Sequence, residues 1–188
     1  MYNSLKRGTD FVLALLGFLV LLPVFLVIMI IIKLDSPGPV FFLQKRVGIH
    51  KKHFMIIKFR TMRTDAPGEL ATHLLETPER YITGVGRFLR NTSLDEIPQL
   101  LNIIKGDMAL VGPRPALWNQ FDLIEERDKY GANDSRPGLT GWAQINGRDD
   151  LTVKKKAALD GEYVKEMGPI IDIRCCLGTF VHVFRKKS

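Results

Sequence analysis

Residues 11–32 form an uncharged, apolar run that constrains this chain more than any other feature of its sequence. At about 1.5 Å per residue, a helix of this length matches the ~30 Å hydrocarbon core of a bilayer. The run is longer than the apolar part of a typical signal peptide, and no small-residue cleavage site follows it. The sequence therefore predicts a retained membrane helix over residues 1–34 and a second unit over residues 35–188.

Two features of the run leave its topology open between a helix that spans the bilayer and one that enters and returns. Pro23 lies near its middle, where a proline removes a hydrogen bond and kinks or breaks a helix. Basic residues flank both ends, with Lys6 and Arg7 before the run and Lys33 after it. Because basic residues favour the cytoplasmic side, this pattern favours two ends on one face, whereas a proline-kinked spanning helix is also common.

The positive net charge of the chain favours anionic binding partners but does not distinguish between them. Its 188 residues include 27 Lys and Arg against 20 Asp and Glu, a formal net charge of +7. Such an excess suits anionic lipid headgroups, nucleic acid or phosphorylated small molecules. The two cysteines are adjacent and have no metal-binding spacing, so they are interpreted as small apolar residues of a helix.

The first half of the second unit reads as a hairpin followed by two helices. Residues 40–47 and 54–60 are rich in β-branched and aromatic side chains and are joined by a link that contains glycine. Residues 61–78 are polar and predict a loop with a short helix near 69–76. Residues 84–106 predict two helices that meet at 91–93, with Ser93 and Glu96 at capping-box spacing and Gly106 as the end of the second helix.

Helical patterns dominate the second half. We expect an amphipathic helix over 116–130, a glycine-rich loop over 135–148, and helices over 152–167 and 170–184. In the last of these, apolar residues recur at helical spacing before a basic end. That pattern is typical of a helix at the headgroup level, although a core-packing helix with a basic tail fits equally well.

Asp95 and Glu96 are the first candidates for chemistry. A carboxylate at a helix N-terminus is stabilised by the helix dipole, which accounts for most acidic pairs in such places. Because consecutive helical residues point about 100° apart, two reactive carboxylates there would have different roles. One could attack phosphorus while the other orients a metal or handles a proton.

Arg114 is the second candidate, because Pro113 and Pro115 restrict the backbone on both sides of it. A guanidinium held in this way could meet a phosphate bidentately with a small entropic penalty; a surface arginine in a structural turn is the alternative. The glycine-rich loop could bring backbone N–H groups close to an anion, with Trp142 available for stacking. There is no Walker A or dinucleotide-binding motif, and the four histidines form no catalytic or metal-ligand pattern.

Taken together, five ordered motifs resemble the small monotopic phosphoglycosyl transferases of the bacterial sugar transferase family. They are Lys58-Phe59-Arg60-Thr61-Met62, Ser93-Leu94-Asp95-Glu96-Ile97-Pro98-Gln99-Leu100, Lys105-Gly106-Asp107-Met108, Val111-Gly112-Pro113-Arg114-Pro115, and residues 136–148. The resemblance runs through nearly the whole chain.

The resemblance implies transfer of a phospho-sugar from a UDP-sugar to a polyprenyl phosphate, with release of UMP. It assigns Asp95 as the nucleophile that forms a covalent phosphosugar intermediate and Glu96 as its metal- or proton-handling partner. Mg²⁺ would be held by Asp95, Glu96 and Asp172. The remaining assignments are phosphate contacts from Arg114, Lys58 and Arg90, and nucleotide contacts from Arg136 and Arg148.

The resemblance also implies an α+β, mostly helical monotopic membrane protein with a re-entrant N-terminal helix, a small β-hairpin and interfacial amphipathic helices. In the family that helix breaks at a Ser-Pro pair, whereas Leu22 precedes Pro23 here. The expected location is the cytoplasmic face of the bacterial inner membrane. The partners are a UDP-sugar, polyprenyl phosphate and the inner leaflet, with no nucleic acid, and a homodimer is left open.

Two other functions fit parts of the sequence. A non-catalytic basic module that docks on a membrane or nucleic acid explains the charge and the anchor, but not an Asp-Glu pair beside a restricted arginine. An ordinary glycosyltransferase would use the same donor and release UDP instead of UMP. The identity of the released nucleotide separates these enzymes.

Overall fold

A computed structural model describes residues 2–66, 78–147 and 150–185 of the chain. The first element, α1 (Tyr2–Asp35), is a single α-helix that continues through Pro23, so the helix break expected at this proline is not observed. It is long and apolar enough to cross a membrane. The rest is mostly helical with two small sheets, which confirms the predicted α+β fold. The short helix predicted near 69–76 lies outside the described residues.

The predicted hairpin is confirmed. Strands β1 (Phe41–Val47) and β2 (His53–Phe59) pair antiparallel, with Phe41 opposite Phe59. A 3₁₀ turn (Ile49–Lys51) joins them, and His50 in it has a positive φ of 53°. Further 3₁₀ turns follow along the chain at Pro78–Arg80, Leu94–Glu96 and Ala132–Asp134.

Two helices follow as expected, α2 (Gly84–Thr92) and α3 (Gln99–Lys105), and Gly106 ends the second with a φ of +100°. The predicted capping box at Ser93 is wrong. Ser93 has a left-handed conformation, ends α2, and makes no side-chain cap hydrogen bond. The side chain that caps α2 belongs to Thr83, whose Oγ1 accepts from the Gly86 N–H at 2.9 Å.

The chain after α3 differs from the prediction in two places. Helix α4 (Phe121–Asp128) is shorter than predicted, because Ala116 accepts a hydrogen bond from the Val47 N–H at the end of β1. Residues 135–148 were expected to be a loop. They include strand β4 (Gly138–Thr140), which pairs in parallel with β3 (Ala109–Val111), and the one-turn helix α5 (Trp142–Ile145).

The last two helices, α6 (Val153–Glu166) and α7 (Pro169–Arg185), match the prediction. On α7, Ile171 and Cys175 are buried against the domain. The apolar face singled out in the sequence points away from the core: Ile173, Leu177, Phe180 and Val181 are all exposed. This exposure favours the interfacial alternative over a core-packing helix.

Both halves of α1 pack against the rest of the chain. Near its N-terminus, Ala14 joins a buried cluster with residues of α3. Beyond Pro23, Phe25, Ile28 and Ile32 share a second cluster with Phe59 of β2 and with Val40 and Leu89. The opposite face of α1 leaves many large apolar side chains exposed. The helix therefore lies along the domain instead of projecting from it.

Candidate active site

The acidic pair sits where the chain turns between two helices. Asp95 and Glu96 occupy the 3₁₀ turn that joins α2 to α3, directly after the left-handed Ser93. Three predicted cations come to this turn from other elements. Lys58 lies on β2, Arg90 lies in the last turn of α2, and Arg114 follows β3.

Glu96 is bound by two of these cations. Lys58 Nζ lies 2.7 Å from Glu96 Oε1, and Arg114 Nη2 lies 3.5 Å from the same oxygen. The side chains of Lys58 and Glu96 are only 17% and 15% exposed, whereas Arg114 keeps 30% of its side chain exposed. Arg114 is therefore held on one side by Glu96 and is accessible to a ligand on another.

Asp95 has a different environment from Glu96. Burial raises the pKa of its carboxyl, while the nearby Lys58 and Arg90 charges and the residue's own backbone N–H oppose that rise. Arg90 is oriented by a hydrogen bond from its Nε to Thr61 Oγ1 at 2.8 Å. The two adjacent carboxylates therefore differ in their partners, as expected for groups with separate roles.

Arg46 belongs to the same cluster and was not identified as a site residue from the sequence. Burial, followed by the neighbouring Arg114 charge, lowers its pKa to about 10. Its Nη1 donates to the Pro115 carbonyl at 3.0 Å and its Nη2 to Gln44 Oε1. A single arginine on a strand gives no local signal. Its place beside Arg114 arises because residue 46 forms an isolated β-bridge with Leu117.

The charges of this catalytic cluster do not balance. We define it as Arg46, Lys58, Arg90, Asp95, Glu96 and Arg114, and its name refers to the role proposed below. Four cations face two carboxylates, an excess of two positive charges in a largely desolvated setting. Because burial disfavours uncompensated charge, such an excess favours binding of an anion.

The structure does not bring Asp172 to this cluster. Its carboxylate accepts hydrogen bonds from Lys6 Nζ at 2.7 Å and from the Tyr2 and Tyr163 hydroxyls at 2.8 Å each. The prediction that it joins Asp95 and Glu96 around a metal is therefore not supported. Asp172 is the acidic residue in the first turn of α7, and its bond to Lys6 ties that helix to the start of α1.

Of the two predicted nucleotide contacts, the structure describes only Arg136, and it does not bring this residue to the acidic pair. Arg136 Nε donates to the Gly106 carbonyl at 3.2 Å, at the end of α3 opposite to Asp95 and Glu96. Arg148 lies outside the described residues. A nucleotide role for either residue stays a prediction.

The acidic pair fits a Mg²⁺ ion that is shared with substrate phosphates better than a metal ion whose ligands all come from the protein. Across residues 2–66, 78–147 and 150–185, no group of three His, Cys, Asp or Glu side chains is placed to hold a metal. Mg²⁺ is commonly bound by one or two carboxylates together with substrate phosphates. Asp95 and Glu96 are adjacent carboxylates beside a cationic surface, and they fit that pattern.

The family follows from comparison with known proteins. The model of the bacterial sugar transferase family matches residues 1–186. This chain belongs to that family. The resemblance found in the five motifs is thereby confirmed, and the non-catalytic basic module loses its support.

Individual relatives agree with this assignment. The chain is 36% identical over 182 residues to the exopolysaccharide production protein ExoY of Sinorhizobium fredii, covering 89% of this chain and 80% of the relative. It is 40% identical over 191 residues to the UDP-glucose:undecaprenyl-phosphate glucose-1-phosphate transferase of Escherichia coli, covering 98% and 41%. An N-acetylgalactosaminephosphotransferase of Aeromonas hydrophila, named for UDP-N-acetylgalactosamine and undecaprenyl phosphate, is 35% identical over 181 residues, covering 92% and 42%. The chain thus spans about two fifths of the last two relatives.

Proposed function

We propose that this protein transfers a phospho-sugar from a UDP-sugar to a polyprenyl phosphate and releases UMP. The observation that carries the proposal is the catalytic cluster, in which a half-buried pair of carboxylates is surrounded by an excess of cations. A diphosphate donor would supply the missing negative charge. The printed names of the Escherichia coli and Aeromonas hydrophila relatives, which include UDP-sugars and undecaprenyl phosphate, support this class of substrate.

Asp95 is the better nucleophile of the two carboxylates. Glu96 is bound by Lys58 and Arg114, and these contacts withdraw electron density from its oxygens. Asp95 is desolvated enough for its pKa to be raised, so its carboxylate is more basic than an ordinary aspartate. Attack by an Asp95 oxygen on the β-phosphorus would break the bond to UMP and form an acyl phosphate that carries the sugar.

The second half of the reaction regenerates the carboxylate. A phosphate oxygen of the acceptor attacks the same phosphorus, the bond to Asp95 breaks, and a polyprenyl diphosphate sugar leaves. Lys58, Arg90 and Arg114 would bind the phosphoryl oxygens in both halves. Mg²⁺ held by Asp95 and Glu96 would neutralise phosphate charge when bound.

The attachment to a membrane forms part of the proposal. A polyprenyl acceptor stays in the bilayer, so the catalytic cluster has to lie at the bilayer surface. Packing of both halves of α1 on one domain supports a helix with both ends on the same, cytoplasmic, side. Single cysteines at Asn3 and Ser36, in a Cys-free background, should then be labelled from the same side of sealed vesicles by an impermeant maleimide. Labelling from opposite sides would contradict this topology.

The released nucleotide tests the reaction itself. Purified protein in detergent, with Mg²⁺ and polyprenyl phosphate, should convert UDP-glucose or UDP-N-acetylgalactosamine to UMP, as measured by chromatography. Without acceptor, it should release UMP only in a burst stoichiometric with enzyme. Asp95→Asn should abolish both signals, whereas Asp122→Asn on the exposed first turn of α4 should retain them. UDP as the product, or turnover by Asp95→Asn, would refute the proposal.

A further inference from the structure

The segment that carries Arg114 is held by its backbone carbonyls. Between residues 113 and 116, four consecutive carbonyl oxygens accept hydrogen bonds from three other elements, β1, α4 and β4. The donors are Gly138 N–H to Pro113 at 2.9 Å, Arg127 Nη2 to Arg114 at 2.9 Å, Arg46 Nη1 to Pro115 at 3.0 Å, and Val47 N–H to Ala116 at 3.0 Å. The path of this segment is therefore set by surrounding elements and not by its own sequence alone.

The donor to Arg114 itself belongs to a buried ion pair. Arg127 of α4 contacts Asp160 Oδ2 of α6 through both Nε at 2.8 Å and Nη2 at 2.6 Å. Their side chains are 4% and 2% exposed. Burial raises the pKa of Asp160, and the Arg127 charge opposes that rise.

A pair of this kind is a weak source of stability. Removing two charges from water costs several kcal/mol, and well-packed apolar residues in the same place are often as stable or more so. An apolar side chain at residue 127, however, could not donate to the Arg114 carbonyl. The planar guanidinium can do both, because its fork reaches Asp160 and the carbonyl together.

The Arg114 peptide is thus fixed from three directions. Pro113 and Pro115 restrict φ on either side of it, and Arg127 holds its carbonyl. Its side chain, in turn, reaches Glu96 in the catalytic cluster. We propose that Arg127 and Asp160 are positioning residues for the reaction, which hold the Arg114 guanidinium where it binds donor phosphate. This inference rests on the proposed function.

A double-mutant cycle tests the coupling. The paired substitution Arg127→Met with Asp160→Leu removes the ion pair as a unit, and Arg114→Ala removes the group it would position. The rate of the UMP burst without acceptor isolates the donor half of the reaction. With Arg114 present, the paired substitution should slow the burst about 10- to 100-fold, since misplacement by ~1 Å has effects of this size. In the Arg114→Ala background it should change the rate less than about twofold, because coupled residues are not additive.

Controls separate positioning from a loss of structure. The paired variant should have a melting temperature close to that of the parent protein. Lys51→Met removes an exposed ion pair to Asp128, which lies on the same helix as Arg127, and should leave the burst rate unchanged. If the paired variant does not fold, Arg127→Lys keeps the charge beside Asp160 without the planar fork. It should slow the burst only when Arg114 is present.

The outcomes are distinguishable. Equal slowing in both Arg114 backgrounds, or a normal burst in the paired variant or in Arg127→Lys, would overturn the positioning role. If the parent enzyme released no UMP, the proposed function would fail instead.

Discussion

Two half-buried clusters of charged residues in this protein have opposite imbalances of charge. The catalytic cluster places four cations around two carboxylates. The second, which we name the helix-anchor cluster, comprises Tyr2, Lys6, Asp10, Tyr163 and Asp172. In it one cation faces two carboxylates. Both clusters join elements that are distant in sequence, and both contain a lysine–carboxylate contact of 2.7 Å.

The difference lies in how each imbalance is relieved. In the helix-anchor cluster, two tyrosine hydroxyls donate to Asp172, so protein groups satisfy the excess acceptors. Burial and Asp172 raise the pKa of Tyr163, which keeps its hydroxyl a donor. In the catalytic cluster the excess is of donors, and Arg46 Nε is buried without a partner among the described residues. A surplus of donors calls for an anionic ligand, whereas a closed set of acceptors indicates a structural role.

Replacing the lysine of each cluster gives the largest expected contrast. Lys6→Met leaves Asp10 and Asp172 buried without their cation and should lower the free energy of unfolding by about 3 kcal/mol. Lys58→Met leaves Glu96 paired with Arg114 and relieves part of the positive excess, so stability should change by less than about 1 kcal/mol. The UMP burst should nevertheless slow about 100-fold, as a phosphate-binding charge is lost.

Denaturant titration in a fixed detergent and the burst assay measure these two quantities. Equal destabilisation by Lys58→Met and Lys6→Met would mean that the catalytic cluster is structural as well. A normal burst in Lys58→Met would remove that lysine from the phosphate site.

The pH dependence of the burst rate is expected to be a smaller effect than the lysine substitutions, and it tests the coupling of Lys58 to Asp95 within the catalytic cluster. Burial raises the pKa of Asp95, and the Lys58 charge counters it. Because the attacking carboxylate has to be ionised, the burst rate should rise with pH through a midpoint set by the pKa of Asp95. Lys58→Met should move that midpoint to higher pH. A midpoint that stays in place or moves down would contradict the assignment of Asp95 or its coupling to Lys58.

The raised pKa of Asp95 makes stability fall as pH rises, whereas the burst rate is expected to increase. The folded state binds the Asp95 proton more tightly than the unfolded chain does. The contribution of this group to stability is therefore greatest below its unfolded-state pKa and declines as pH rises through the folded-state pKa. Activity and stability are expected to respond to Asp95 in opposite directions across this window.

Local patterns were enough to predict most elements but not their partners. The hairpin and helices α2, α3, α6 and α7 follow from apolar periodicity and turn residues, which depend on neighbours in the sequence. The predicted N-terminal cap at Ser93 is wrong because this residue adopts a left-handed backbone conformation and makes no side-chain cap hydrogen bond. The part of the predicted helix over residues 116–120 is absent because the Ala116 carbonyl accepts a hydrogen bond from the Val47 N–H at the end of β1.

For the site, the sequence named Lys58, Arg90 and Glu96, which lie near Asp95, and Arg114, which contacts Glu96. They could not place Asp172, whose role depends on a contact with Lys6 across 166 residues of chain. Arg46 was missed for the same reason, since a strand pattern shows which residues share a face and not what lies opposite. The sequence around a single charged residue does not reveal which distant residue it contacts in the folded protein.

Helix α1 forms one wall of the protein core and, under the proposed attachment to a bilayer, is also the surface that would meet lipid. Phe25, Ile28 and Ile32 close a core cluster from one side, while side chains such as Val20, Ile30 and Leu34 face outward and are exposed. Lipid or detergent that binds this outward face more tightly in the folded chain than in the unfolded chain would stabilise the fold. Folding of the chain and its proposed attachment to the membrane would then be coupled in one equilibrium.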